Sequence, residues 1–244
     1  MEMVLQKFIA SSGLCSRRQA EGMICDGRVE VNGHPAELGM KVNEQDKVVV
    51  DGQKISIGSK FVYIKLNKPI GYVCTSRQFK NEKNIFDLVI VKERLFAVGR
   101  LDKDSRGLVL LTNDGELANK LTHPRYGHEK EYVVQVTSNK LQIPSNKKQD
   151  AKNKEQITKI LEKFKKGIDV GEGDGIAKAQ DIKYLGNNKF KVILGQGKKR
   201  QIRRMFKILG CDAIDLLRVR IGNIELGNLK EGKWEYVKEL RITN

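Results

Sequence analysis

Gly99-Arg100-Leu101-Asp102-Lys103-Asp104-Ser105-Arg106-Gly107-Leu108-Val109-Leu110-Leu111-Thr112-Asn113-Asp114-Gly115 reads as strand, polar loop, strand and turn. Two aspartates followed by a glycine invite a calcium-loop interpretation. Arg106, however, occupies a ligand position, and Asn113 stands where a bidentate glutamate is required, so an EF-hand is rejected. From spacing alone, Asp102 reads as a turn or capping carboxylate. Thr112 to Gly115 forms a turn and the start of a helix over Glu116 to Leu121. Upstream, Lys65 to Gly71 reads as a strand ending in a Pro-Gly turn.

The chain around this stretch has 244 residues, with 46 Lys and Arg against 30 Asp and Glu, and a formal charge of +16. A strongly basic balance points to a polyanion such as nucleic acid as the partner. The charge is uneven. Residues 1 to 58 carry seven basic and eight acidic side chains, so the rest of the chain holds the whole excess. That asymmetry predicts a small first module and a larger basic second one, with Gly52 to Lys60 as the joint. No run of about 18 apolar residues spans a bilayer, and no secretory signal opens the chain, so a soluble cytoplasmic protein without a membrane partner is expected.

Metal and cofactor chemistry find no handhold. The four cysteines (Cys15, Cys25, Cys74, Cys211) contain no CxxC pair and read as buried free thiols; the three histidines lack ligand spacing. Neither GxxxxGK[ST] nor a strand followed by GxGxxG occurs, and no cofactor is expected.

In the second module, Lys189 to Lys207 holds eight basic residues and no acid on a strand, glycine-rich turn and helix. Phosphate contact is the expectation for Lys198, Lys199, Arg200 and Arg204. Ser145 to Lys166 is also basic but interleaved with acids, and reads as a loop and an amphipathic helix packing Ile157, Ile160, Leu161 and Phe164. The stretch from Asn146 to Lys154 is open to reading as an insertion or as disorder. Trp234 reads as a core residue rather than a base-stacking platform.

In the first module, Leu5 to Ala10 and Ser16 to Cys25 read as short helices, the second capped by Ser16. A strand follows, running into an Asn32-Gly33 turn, and then a strand over Lys47 to Val50. LQKFIASSGLCSRRQAEGMICDGRVEVNG resembles the S4-type RNA-binding module. The resemblance implies that Arg17, Arg18, Arg28 and also Lys7 face RNA. With its near-neutral charge, the module reads as a steering element rather than the main anchor.

GRLDKDSRGLVLLTNDGELANKL, HEKEY and GQGKKRQIRRMF resemble the RsuA-like family of ribosomal RNA pseudouridine synthases, and among them the RluF type acting on 23S rRNA. The resemblance implies an α+β protein: an S4-like domain at 1–58, then a catalytic domain at 59–244 with a mixed, largely antiparallel sheet. It implies isomerisation of uridine, in which the N-glycosidic bond breaks and the base rejoins the sugar through C5, with Asp102 as the nucleophile at the sugar or the base. Arg100 corresponds to the residue that fills the space of a flipped nucleotide. The resemblance further implies that Tyr132 lies against the uracil and that Arg203 pairs with Asp102 and keeps it ionised; Lys130 reads as structural or backbone-binding. The expected partner is ribosomal RNA, free or in a pre-ribosomal particle, with the protein acting as a monomer. Small-subunit rRNA or tRNA as substrate stays open on the residues alone; a non-catalytic ribosome-assembly factor is the other alternative, and the presence together of Asp102, Tyr132 and Arg203 argues against it.

Overall fold

The computed structural model describes residues 2–57, 60–77, 79–137 and 147–237, with the backbone alone for 147–152. Two compact units are distinguished: Met1–Tyr63 with Val91–Phe96 and Leu111–Leu117, and Ile64–Ile90 with Ala97–Leu110 and Ala118–Asn244. The expected joint, Gly52 to Lys60, contains Gly58 and Ser59, which lie outside the described residues.

The first unit begins with helices α1 (Leu5–Ser11) and α2 (Arg17–Cys25). Ser16 and Gln19 form a capping box: the Ser16 hydroxyl accepts from the Gln19 amide at 3.3 Å, and the Gln19 side chain accepts from the Ser16 amide at 3.0 Å. That satisfies amides no helical carbonyl reaches. Four short strands follow, β1 (Val29–Val31), β2 (His34–Pro35), β3 (Val48–Val50) and β4 (Gln53–Ile55), paired in the order β2-β1-β3-β4. Asn32 and Gly33, at φ 54° and 86°, make the turn between β1 and β2, both residues having left-handed backbone. The alternation of β1 and β3 buries Val29, Val31, Val48 and Val50 against Leu5, Phe8 and Ile24 of the helices.

In the second unit the main strands are β5 (Tyr63–Lys68), β6 (Phe96–Val98), β7 (Arg106–Thr112), β8 (Lys130–Thr137), β9 (Asp181–Gly186), β10 (Lys189–Leu194), β11 (Asp212–Ile221), β12 (Ile224–Glu225) and β13 (Trp234–Tyr236). They join in one sheet of order β9-β10-β8-β11-β7-β5-β13, with β6 beside β7 and β12 beside β11. The pairings of β8 with β10 and β11, of β9 with β10 and of β13 with β5 are antiparallel. β7 and β11 run parallel. The class is therefore α+β, with a mixed, largely antiparallel sheet.

β7 buries Gly107 to Thr112 without alternation, as a strand covered on both faces must. Gly107 has φ +107°, and a Cβ there would lie 2.3 Å from the Arg218 carbonyl oxygen. Only glycine lets β7 come this close to β11.

Helices α3 (Gly115–Thr122), α4 (Lys147–Lys166) and α5 (Gln201–Ile208) complete the chain. Asp114 caps α3 by accepting from the Glu116 and Leu117 amides at 3.0 Å each. α4 packs Ile160 and Phe164, both fully buried, while Ile157 and Leu161 are half-buried. Phe164 and Phe190 meet Phe206 of α5 at ring separations of 4.6 and 5.2 Å. Each of these buried rings contributes roughly 1.5–3 kcal/mol.

α4 covers Lys147 to Lys154, so helix rather than disorder occupies that part of the lysine-rich stretch; Asn146 lies outside the described residues. Trp234 is half-buried on the last strand of the sheet, edge-on to Tyr236 at 5.5 Å, rather than in the core. Cys15, Cys74 and Cys211 are buried, but Cys25 is exposed.

Candidate active site

A cleft of about 560 Å³ opens in the second unit, and Arg100, Asp102, Lys130, Tyr132, Arg200 and Arg218 are among its lining residues. Asp102 sits in the turn before β7, where its carbonyl accepts from the Ser105 amide at 3.1 Å. The turn is held through its backbone. The Arg218 guanidinium donates to the Arg100 carbonyl at 3.3 Å and Arg203 to the Asp104 carbonyl at 2.7 Å. The fully buried Lys68 ammonium donates to the Ser105 carbonyl at 2.6 Å and the Lys103 carbonyl at 3.5 Å. Burial pushes the Lys68 pKa down, and Asp104 and Asp102 partly oppose that shift. A charge so desolvated is tolerated because carbonyl dipoles surround it.

The Asp102 side chain is 39% exposed, and among the described residues the cation within 4.0 Å of it is Arg200, at 3.9 Å. This corrects the expected pairing with Arg203. Arg203 turns to the Asp104 and Ala213 carbonyls, with its Nε 3.5 Å from the Asp104 carboxylate. Arg200, expected on phosphate, grips Asp104 bidentately at 2.9 and 2.7 Å. That ion pair holds the Asp104 carboxyl below the usual carboxylate range, with burial opposing. Arg200 adopts φ 51°, an uncommon left-handed conformation for a residue with a side chain.

Tyr132 is 8% exposed on β8, and its hydroxyl has no hydrogen-bond partner among the described residues. Arg100 is exposed, with no carboxylate within 4.0 Å among the described residues. Lys199 is exposed as well. Lys198 is instead tied to the Asp174 and Ile176 carbonyls. Arg204 departs furthest from its expected phosphate role. Its side chain is 14% exposed, bonded to Asp174 at 2.5 Å and to the Val170, Gly171 and Lys199 carbonyls. Its donors are spent within the protein.

In the first unit, Arg17 and Arg18 are exposed at the start of α2, with no carboxylate within 4.0 Å among the described residues. Arg28 is exposed but paired bidentately with Asp51 at 2.8 and 2.6 Å, and Lys7 pairs with Glu116 at 2.8 Å.

The sequence reading passed over Lys68 and Arg218. For Arg218 there was a signal: in Leu216-Leu217-Arg218-Val219-Arg220 a cation falls in phase with the buried Leu216. For Lys68 there was none beyond its place on an apolar strand.

Comparison with known proteins decides the family. A family model described as RNA pseudouridylate synthase matches residues 62–207, and an S4 domain model matches residues 3–48. The chain belongs to the RNA pseudouridine synthases. Among these, it is 38% identical over 234 residues to the dual-specificity RNA pseudouridine synthase RluF of Escherichia coli K12, covering 94% of this chain and 73% of that protein. It is 36% identical to the ribosomal large subunit pseudouridine synthase B of Bacillus subtilis 168, covering 93% and 89%. A crystal structure of a pseudouridylate synthase superposes with a TM-score of 0.65 at 26% identity, over 96% of each chain. As a pseudouridine synthase with an S4 domain, the protein acts on RNA and converts uridine to pseudouridine.

Proposed function

We propose that this pseudouridine synthase modifies a uridine of large-subunit ribosomal RNA, with Asp102 as the nucleophile. The observation that carries the assignment is that Asp102 and Tyr132, far apart in sequence, line one cleft, with Arg100 exposed beside them. A carboxylate there is free to reach the nucleotide, since no hydrogen bond from the protein occupies it among the described residues. Tyr132 supplies a ring face and a hydroxyl uncommitted among the described residues for the base, and Arg100 fills the place the flipped nucleotide leaves. Arg200 serves as counter-cation to Asp102, with Arg203 fixing the backbone of the turn. Residues 59–244 perform the chemistry and residues 1–58 steer RNA through Arg17 and Arg18. The ribosomal large-subunit substrate rests on the names of the Bacillus subtilis relative and others like it.

The test is tritium release from large-subunit RNA labelled at uridine C5, because forming the C5 bond expels that hydrogen. Wild type releases tritium, whereas Asp102→Asn releases none while binding RNA within several-fold of wild type. Near wild-type release by the variant removes Asp102 from the role. Release from tRNA alone overturns the ribosomal substrate.

A further inference from the structure

Two cations on the paired strands β8 and β11, Lys130 and Arg218, line the cleft without a task in the proposed chemistry. Arg218 is 1% exposed and stands opposite Tyr132 in the β8–β11 register. Its Nε donates to the Leu108 carbonyl at 2.7 Å and one terminal nitrogen to the Arg100 carbonyl. The other terminal nitrogen is buried and has no partner among the described residues. Lys130 lies two residues before Tyr132, on the same face of β8, and among the described residues its ammonium reaches only the His128 carbonyl, at 3.5 Å. Burial, then the neighbouring Arg218, hold the Lys130 pKa below its ordinary value. Two desolvated like charges side by side, each with unused donors, are unfavourable in an empty cleft and favourable around an anion.

The chemistry supplies an anion at that place. When the N1–C1′ bond breaks, its electron pair stays on the base, and the charge spreads over N1, O2 and O4. An Asp102 oxygen bonds to C1′ meanwhile. After the base turns, the C5=C6 pair forms the new bond to C1′ and the Asp102 oxygen leaves with its own pair. The C5 hydrogen departs as a proton and N1 takes one up, so no oxidant or reductant is needed.

We propose that Lys130 and Arg218 form a cationic floor that stabilises the detached uracil as its anion and retains it in the cleft until C5 meets the sugar. This rests on Asp102 being the nucleophile. RNA phosphates are left to exposed cations such as Lys199. Donors aimed at charge that develops only during reaction accelerate the step without tightening substrate binding.

The test compares RNA carrying uridine or 5-fluorouridine at the modified position under single turnover, following loss of the N-linked nucleoside in nuclease digests. Fluorine withdraws electrons and stabilises the departing base anion without help from the protein. Lys130→Gln is expected to slow uridine conversion on the order of 100-fold, with RNA affinity within several-fold of wild type. On 5-fluorouridine its loss is expected to shrink to about 10-fold or less. Arg218→Lys, which keeps the charge but misplaces it, should follow the same pattern; should it not fold, Lys130→Gln decides alone. Equal losses on both substrates, or a loss confined to affinity, overturn the cationic floor. Turnover by Asp102→Asn run alongside overturns the nucleophile instead, so the two failures are told apart.

Discussion

Gly107→Ala tests the closest approach in the sheet. The added Cβ would stand 2.3 Å from the Arg218 carbonyl oxygen, 2.7 Å from its amide nitrogen and 2.9 Å from the Leu217 Cδ1. Two of these three atoms are backbone and cannot swing away, so β7 must separate from β11 where Arg106 faces Leu217 and Gly107 faces Arg218. Such overpacking costs about 1–3 kcal/mol, and holding a residue with a Cβ at φ +107° costs about 1–3 kcal/mol more. The sum, roughly 2–6 kcal/mol, is a large part of the 5–15 kcal/mol typical of a folded domain. Trp234, the chain's one tryptophan, lies on β13 of the same sheet and reports its unfolding by fluorescence in urea. With a slope of about 2–3 kcal/mol per molar, the midpoint should fall by about 1–3 M. A midpoint within about 0.3 M of wild type would show that the strands separate at little cost and would refute the reasoning.

Lys199→Ala should weaken binding to every RNA alike and reduce the slope of log affinity against log salt by about 1. Arg204→Ala should leave that slope unchanged and lower the urea midpoint instead, since it orphans the Asp174 carboxylate and the Val170 and Gly171 carbonyls; a change of salt slope in Arg204→Ala would return it to the RNA surface. Acid should act partly through Asp215, whose carboxyl is held below its usual range first by its bidentate hydrogen bonds to Arg106 at 2.8 and 2.7 Å, with burial opposing. A carboxyl depressed in the folded state stabilises the fold above its unfolded pKa of about 4, and that contribution is lost as pH falls through the folded value. The urea midpoint of Asp215→Asn should therefore fall less than that of wild type between about pH 6 and pH 3; an equally steep fall would remove Asp215 as a cause.

What the sequence made legible was what short-range chemistry decides. Ser16 with Gln19, Asn32-Gly33 and the turn ending in Asp114 act within a few residues, and each appears where local spacing puts it. The strand, loop and strand around Asp102 follow from the same rules. The partners of the arginines in Arg200-Gln201-Ile202-Arg203-Arg204 were not legible. Nearby residues at the start of one helix point in different directions, and what each meets is set by distant chain: Asp104 for Arg200, the Ala213 carbonyl for Arg203, the loop of Val170 to Asp174 for Arg204. Family resemblance named the right segment but did not fix which guanidinium faces which carboxylate. Arg218 escaped notice because a cation inside a strand usually marks its solvent face, and here it marks the reverse.

The turn carrying Asp102 is gripped by its carbonyls, from Arg218 on one flank, Lys68 beneath and Arg203 on the other. Its shape is thus written chiefly in residues that belong to other strands and a helix; of its own side chains, Asp104 contributes through its ion pair with Arg200. Such a turn behaves as a socket. The groups it displays at 100, 102 and 103 are interchangeable fittings, and an engineer could exchange them for new chemistry while the mounting stays in place.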